Sequence, residues 1–173
     1  LAFWDTEGRI RGEIVAQRAG PDWVLPWLLS PARKIAPTHV AFQRRGAPIS
    51  SMWGEFEDAG IEVTPWGEDK LAGWHGAVYD MIRKAATDES PKGETEDEFR
   101  DRVRISHGAQ PVLDVAASTA QIKPVGDGWV IDRKASPADA SPLLAFIAAV
   151  GLLQTNPAPA SASAYESNDL MVV

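Results

Sequence analysis

The sequence predicts an α/β fold built around a mixed sheet whose antiparallel part comes first. Polar and apolar residues alternate on either side of a Thr-Glu-Gly-Arg turn near the start of the chain, which predicts a β-hairpin. Further along, two short apolar runs flank a helix-like segment, an order that predicts parallel strands joined by a crossover. The last strongly patterned segment is apolar nearly all round, which predicts a helix buried in the core.

The first half of the chain supplies the hairpin, two helices and two strands. Pro26 and Pro31 are expected to make the first helix irregular, because proline removes a main-chain donor. Trp23 and Trp27, at helical spacing in that helix, are predicted to be core anchors rather than a platform for nucleobases. The predicted elements are a hairpin over 1–5 and 9–18, a helix over 21–34, a strand over 38–42, a helix over 47–59 that ends at Gly60, and a strand over 61–64.

The second half is mostly helical around one acidic segment. Residues 88–98 hold six acids and one lysine, which is typical of a solvated charged insertion, placed here at 87–98. Serine before proline predicts that the last helix starts at Ser141 or Pro142; it runs to Leu153 and is too short to span a bilayer. The other predicted elements are a helix over 67–86, an extended segment over 99–105, a helix over 110–120, an extended piece over 122–124 and a strand over 129–131.

This order suits a ribonuclease-H-like α/β fold that lacks its opening strand. One domain is predicted over 1–153, whereas the Pro-, Ala- and Ser-rich residues 154–173 are not expected to fold. Because the chain begins inside a strand and without methionine, we expect a fragment. The absent strand would lie centrally, between the hairpin and strand 38–42, so we expect a weakened sheet or unpaired edges that invite association.

Composition narrows the classes of function. A chain of 173 residues that is 45% hydrophobic and 24% charged suits one soluble domain with a core. It has no cysteine, which excludes disulfides and Cys-based zinc sites, and its three histidines lack metal-ligand spacing. Without a signal peptide or long apolar segment, a cytoplasmic location is expected. The net charge of −7 argues against a basic surface over the whole protein, but not against a local basic cluster.

Several segments in order carry a family resemblance. They read GPDWV at the first helix, THVAF followed by QRRG, FEDAGIEV, AVYDMI, SHGAQPVLDVA and GDGWVIDRKASPADASPLLAFIAAVGL. Together, over roughly 1–153, they resemble the C-terminal nuclease domain of phage terminase large subunits, in the form common in actinobacterial phages and prophages. The resemblance implies a DNA-packaging endonuclease that cuts concatemeric double-stranded DNA. Its implied partners are that DNA, the terminase ATPase domain, the small terminase subunit and the portal, with no membrane.

The resemblance also implies the chemistry of the site. Family members hold two Mg²⁺ or Mn²⁺ ions with clustered carboxylates, and such ions activate the attacking water and stabilise charge at the phosphorus. Asp139 falls on the family's last acidic ligand, just before the final helix. Gln43 stands where the family has its middle acid, and a neutral amide is a weaker ligand for magnesium. The first acid would lie on the strand before Leu1, so hydrolysis by this chain alone is predicted to be impaired.

Other assignments stay open on the residues alone. Asp139 next to a helix start is explained by helix capping, which the residues alone favour over metal binding. Asp5 is an ordinary hairpin-turn aspartate, and Asp127 and Asp132 are weaker ligand candidates near Asp139.

Four cations, in two pairs, are expected at the same sheet end as Asp139. Arg44, Arg45, Arg133 and Lys134 could contact DNA phosphates, or could serve as salt-bridge partners of nearby acids. Two other functional classes compete with an active terminase nuclease. One is a catalytically inactive prophage remnant or a structural, DNA-binding module; the other is a different ribonuclease-H-like nuclease, such as a resolvase or transposase domain.

Overall fold

The computed structural model describes residues 1–33, 37–67, 69–86 and 92–155. In the first half of the chain, each strand is three residues long and the connecting helices are short. The elements are β1 (Ala2–Trp4), β2 (Ile10–Gly12), α1 (Val24–Leu29), β3 (Val40–Phe42), a 3₁₀ helix (Pro48–Met52), α2 (Trp53–Asp58) and β4 (Val63–Pro65).

The second half contains the longer helices. α5 begins with a proline, which loses no hydrogen bond at the first helical position. α4 begins with a capping box, in which the Thr95 hydroxyl and the Glu98 carboxylate each accept from the other residue's main-chain N–H. The elements are α3 (Asp69–Ala85), α4 (Glu96–Arg102), β5 (Ile105–His107), α5 (Pro111–Thr119), β6 (Ile122–Val125), β7 (Gly128–Ile131) and α6 (Ser141–Thr155).

The seven strands of the described residues form three small sheets. The first has the order β1-β2-β5, with β1 and β2 antiparallel and β2 and β5 parallel. β3 and β4 form a parallel pair, and β6 and β7 form an antiparallel pair. The α/β class and the antiparallel start are therefore confirmed, while the strands are divided among three sheets instead of joining in one.

The helix α6 lies at the centre of the molecule. It contacts β1, β2 and β3 as well as α3 and α5. Eight of its residues are buried, which confirms the prediction of a core helix: Pro142, Leu143, Phe146, Ile147, Ala148, Val150, Gly151 and Leu152. The main core gathers these around Ile10 of β2, Ile105 of β5 and Trp74 of α3.

Two glycines allow neighbouring elements to approach α6 closely. A Cβ atom on Gly12 of β2 would lie 2.2 Å from the Phe146 ring. A Cβ atom on Gly151 of α6 would lie 2.3 Å from the Trp74 ring of α3. Both distances are far below van der Waals contact, so these positions require glycine for packing.

His75 is the one polar or charged residue buried among the described residues. It stacks on Trp66 with ring centroids 5.4 Å apart, and Trp129 contacts it edge-on at 5.8 Å. Its Nδ1 lies 2.7 Å from the carbonyl oxygen of Leu71. Burial lowers the pKa of His75, and the Leu71 hydrogen bond only partly opposes this. His75 is therefore a neutral core residue at pH 7.

A second, smaller core supports β3 and β4. Its fully buried members in the described structure are Phe42, Met52 and Phe56, with the Phe42 and Phe56 rings 5.0 Å apart. Half-buried residues of α1 and the 3₁₀ helix pack against it. β3 separates the two cores, because Ala41 packs on the main core while Phe42 belongs to the smaller one.

Some predicted elements differ from the structure. The prediction of an extended segment over 99–105 is wrong for residues 99–102, which belong to the helix α4. The capping box at Thr95 and the Arg100–Glu96 ion pair favour a helix there. The acidic insertion at 87–98 is not wholly solvated. Glu94 and Arg102 form an ion pair with side chains 8% and 16% exposed, and residues 87–91 lie outside the described part.

The first and last helices also differ in length from their predictions. α1 covers six residues, because Pro31 lies just beyond it. Trp23 and Trp27 are half-buried and pack against each other outside both cores. α6 continues to Thr155, two residues past the predicted end, and the predicted unfolded tail beyond it lies outside the described residues. Within the described ranges, no helix combines the length and apolarity needed to cross a membrane.

Candidate nucleic-acid interface at the carboxyl ends of β3 and β7

Two loops that are distant in sequence meet beside the start of α6. One follows β3 and carries Gln43, Arg44 and Arg45; the other follows β7 and carries Arg133 and Lys134. The Arg133 guanidinium donates a hydrogen bond to the main-chain carbonyl of Gly46, 87 residues away. The structure therefore brings the two predicted pairs of cations together, and we call these two loops the basic edge.

Local hydrogen bonds fix both loops. In the loop after β7, the Asp132 carboxylate accepts from the main-chain N–H of Lys134, and the Ser136 hydroxyl donates to the Asp132 carbonyl. In the loop after β3, the Ser50 hydroxyl donates to the Gln43 carbonyl at 2.6 Å. Gly46 has φ of 79°, a left-handed conformation that glycine adopts without strain. The cations of the basic edge are thus held on defined turns.

Asp139 caps the main-chain start of α6. Its Oδ1 accepts from the Ser141 N–H at 2.9 Å, and its Oδ2 accepts from the Gln17 side-chain amide at 3.2 Å. The Ser141 hydroxyl and N–H hold the pKa of Asp139 below its ordinary value, with smaller contributions from Gln17 and the Arg133 charge. Asp139 is therefore an ionised, exposed carboxylate beside the basic edge, and the capping role expected from the residues is confirmed.

Gln17 and Gln110 are two residues of this region that the sequence did not indicate. Gln17 reaches Asp139 from the extended segment after β2, 122 positions away. Gln110, just before α5, accepts from the Ile14 N–H at 2.9 Å and donates to the Ile14 carbonyl at 3.1 Å. This pair of bonds fixes the segment that carries Gln17. No local sequence signal marks either residue, because each contact depends on the tertiary fold.

Arg44 and Gln43 have different surroundings within the same loop. The Arg44 guanidinium lies 4.9 Å from the centre of the Trp53 ring, a cation–π contact that orients it without neutralising its charge. Gln43 is half-buried, and its main-chain carbonyl, not its side chain, accepts the hydrogen bond from the Ser50 hydroxyl. The position that the resemblance assigns to an acid is thus occupied by a neutral residue that directly precedes Arg44 and Arg45 in the chain.

The four cations of the basic edge differ from most other arginines of the chain. Arg9, Arg11, Arg100 and Arg102 each form an ion pair with a carboxylate. In the described part of the chain, none of Arg44, Arg45, Arg133 and Lys134 forms one. Within the ranges that the structure describes, these four side chains therefore do not take the salt-bridging role.

The remaining candidate acids have local roles. Asp5 accepts from the N–H groups of Glu7 and Arg9 and from the Arg9 guanidinium at 3.2 Å, as a turn aspartate does. Burial raises its pKa, but these bonds outweigh burial and hold the pKa below its ordinary value. Asp132 pairs with Lys123 at 3.9 Å, and Asp127 lies exposed in the turn between β6 and β7.

The carboxylates present do not fit the two-metal site that the resemblance implies. Two hard cations require several carboxylate oxygens in one place. Among the residues that the structure describes, no three Asp, Glu or His side chains come together to hold a metal ion. Of the predicted carboxylate ligands, Asp139 and Asp132 lie at the basic edge. The Asp139 oxygens already accept from Ser141 and Gln17, and the Asp132 carboxylate accepts from the Lys134 N–H and pairs with Lys123. The described residues alone thus lack the ligand set for this chemistry.

The chain was compared with protein-family models, curated proteins and solved structures. No protein-family model, no curated protein and no solved structure matches it.

Proposed function

We propose that this chain is a DNA-binding module of the terminase nuclease type, with a ribonuclease-H-like arrangement, that holds the phosphate backbone of double-stranded DNA at the basic edge. The observation that carries the proposal is the Arg133–Gly46 hydrogen bond, which joins into one surface two groups of cations that form no ion pair with the described residues. Arginine and lysine without carboxylate partners are suited to phosphate oxygens. Contacts of this kind position DNA without reading its sequence.

The charge distribution defines the kind of binding expected. The chain as a whole carries −7, so attraction to DNA must come from a limited surface. Arg45 and Lys134 are exposed, and Arg44 is exposed above Trp53. Asp139 places one negative charge beside them, which restricts how closely a phosphate approaches the start of α6. We expect weak, strongly salt-dependent binding, with a Kd on the order of 10⁻⁴ to 10⁻⁶ M at physiological salt.

The proposal is tested by binding of a fluorescent 20-base-pair duplex, measured by anisotropy over a series of salt concentrations. Replacing Arg45 and Lys134 together by alanine removes two phosphate contacts, so the slope of log K against log salt should fall by about 1.8. The matched control replaces Arg100 and Arg104, which pair with Glu96 and Asp101, and should leave the slope unchanged. Equal losses in both double variants would contradict a localised interface.

A nuclease activity is the second candidate, and a plasmid-nicking assay distinguishes it from binding alone. With Mn²⁺ and supercoiled plasmid, we expect the chain to nick no faster than its Asp139→Ala variant, because no three Asp, Glu or His side chains come together among the described residues to hold a metal ion. Nicking by the wild-type chain that Asp139→Ala abolishes would show that the chain is an active nuclease. The binding assay would then report substrate binding.

A further inference from the structure

A groove with apolar walls lies beside α6 and α1. Its volume is about 590 Å³, which falls in the range of about 300–1,000 Å³ typical of small-molecule sites. α6 lines it with small residues such as Ala145, and α1 lines it with Trp27 and Leu28. Phe3 and Val15, which also line it, are 38% and 48% exposed. We call this space the apolar groove, and it leaves large apolar side chains in water that a ligand would cover.

Arg33 places one positive charge in the wall of the apolar groove. In the part of the chain that the structure describes, it is the one Arg, Lys, Asp or Glu side chain of the lining. Its guanidinium lies 5.2 Å from the centre of the Trp27 ring, a cation–π contact that orients it. Its Nε and Nη1 atoms are buried and have no hydrogen-bond partner among the described residues. Buried guanidinium N–H groups without an acceptor are costly, so an anionic acceptor at this position would be stabilising.

The surroundings of Arg33 define the kind of anion that fits. One cation in an apolar wall is neutralised by one negative charge, which a carboxylate supplies at neutral pH. A phosphate monoester carries about 1.5–2 negative charges and would leave part of that charge unpaired beside apolar side chains. The other polar side chains of the lining are Thr38 and His39, which are exposed, with the Thr38 hydroxyl 2.9 Å from His39 Nδ1. The lining therefore favours a single carboxylate attached to an apolar body.

We propose that the apolar groove binds a free aliphatic monocarboxylate, with its carboxylate on the Arg33 guanidinium and its hydrocarbon chain against Trp27 and Leu28. The carboxylate accepts from the unpartnered Nε or Nη1 atom, and the hydrocarbon chain removes Phe3 and Val15 from water. Each methylene group that enters the groove should raise the affinity about fourfold. This inference does not depend on DNA binding at the basic edge.

Isothermal titration calorimetry of the full chain at pH 7.5 tests the proposal. The probe is decanoate below its critical micelle concentration, and the matched neutral probe is decanol, which has the same chain length without the charge. Decanoate should bind about 10- to 100-fold more tightly than decanol, as expected for hydrogen bonds to a charged group. It should bind about 15-fold more tightly than octanoate, which has two methylene groups fewer.

Two substitutions distinguish the carboxylate contact from the hydrocarbon contact. Arg33→Met keeps an unbranched side chain without the charge, so the preference for decanoate over decanol should be lost. The matched control is Arg18→Met, because Arg18 stacks on Trp23 at 5.5 Å and lies outside the lining of the groove, and it should keep that preference. Ala145→Trp, which fills the groove from an exposed position, should weaken binding of both probes, whereas Ala77→Trp on the exposed face of α3 should weaken neither.

Several outcomes would overturn the proposal. In the wild-type chain, which needs no variant to fold, these are decanoate that fails to bind, and decanol or decyl phosphate that binds as tightly as decanoate. Among the variants, they are equal losses in Arg33→Met and Arg18→Met, and decanoate binding that Ala145→Trp leaves unchanged.

Two other results would identify a different occupant and would also overturn the proposal. A decanoate affinity that rises when Leu170 and Val172 are both changed to serine would identify the chain's own C-terminal segment. A decanoate affinity that falls as the protein concentration rises, together with a dimer in sedimentation, would identify a second copy.

Discussion

Gly151 offers a direct test of how α6 packs on α3. In a helix interior, replacing glycine by alanine ordinarily stabilises a protein by about 1 kcal/mol. Here an added Cβ would lie 2.3, 2.4 and 2.6 Å from three atoms of the Trp74 ring. Carbon atoms in contact are about 3.5–4.0 Å apart, so the ring would have to move by more than about 1 Å. Trp74 is stacked on Trp66 at 5.9 Å and cannot move without disturbing the core.

The expected change in stability for Gly151→Ala is therefore opposite in sign to the change that helix propensity alone predicts. Overpacking costs about 1–3 kcal/mol, and the upper part of that range, about 2–3 kcal/mol, applies at a rigid site. After the propensity gain of about 1 kcal/mol is subtracted, Gly151→Ala should be about 1–2 kcal/mol less stable than the wild type. For a chain of this size the melting temperature should fall by roughly 2–8 °C. Gly73→Ala, on the exposed face of α3 with nothing within 4 Å of the added Cβ, should instead raise it. A Gly151→Ala protein as stable as Gly73→Ala would refute this close packing of α6 on Trp74.

Two further predictions concern a buried imidazole and a side-chain amide. Burial lowers the pKa of His75 in the folded state, so the unfolded chain binds a proton that the folded chain does not, and stability should fall as pH drops below about 6.5. The free energy of unfolding in urea should differ less between pH 7.5 and pH 5 for His75→Leu than for the wild type. Equal differences would contradict a lowered pKa of His75 in the folded state. Gln110→Ala removes two hydrogen bonds to Ile14 and should cost about 1–2 kcal/mol, with faster exchange of the Ile14 amide; unchanged exchange would contradict this role.

The sequence identified the elements whose signals are local. The alternation around the Asp5 turn predicted the hairpin, and the apolar run after Ser141 predicted the buried helix, which starts at the first of the two residues expected, Ser141 and Pro142. Serine before proline and an aspartate two residues earlier also located Asp139 at the helix start. These features depend on neighbouring residues, so a single sequence contains the information that they need.

Features that depend on distant residues could not be predicted in the same way. The lengths of the strands depend on which edges find partners, and residues 14–18 are patterned as a strand but pair with no strand among the described residues. The Gln17–Asp139 bond spans 122 positions and the Arg133–Gly46 bond spans 87. Pairing across such distances follows from the packed fold. The segment 99–105 shows a different source of error, because alternation of apolar and charged residues masked a capping box.

The smaller core has a consequence for the basic edge. Arg44 and Arg45 belong to the unit formed by β3, β4 and α2, which has three fully buried residues, whereas Arg133 and Asp139 belong to the larger one around α6. Few buried contacts mean that the smaller unit opens locally at a lower free energy than the rest. Each such opening separates the two halves of the cationic surface. A phosphate chain held by both halves would bind only the closed form, so by linkage it would lower the population of the open form. The opening equilibrium of β3 and β4 would then measure ligand occupancy.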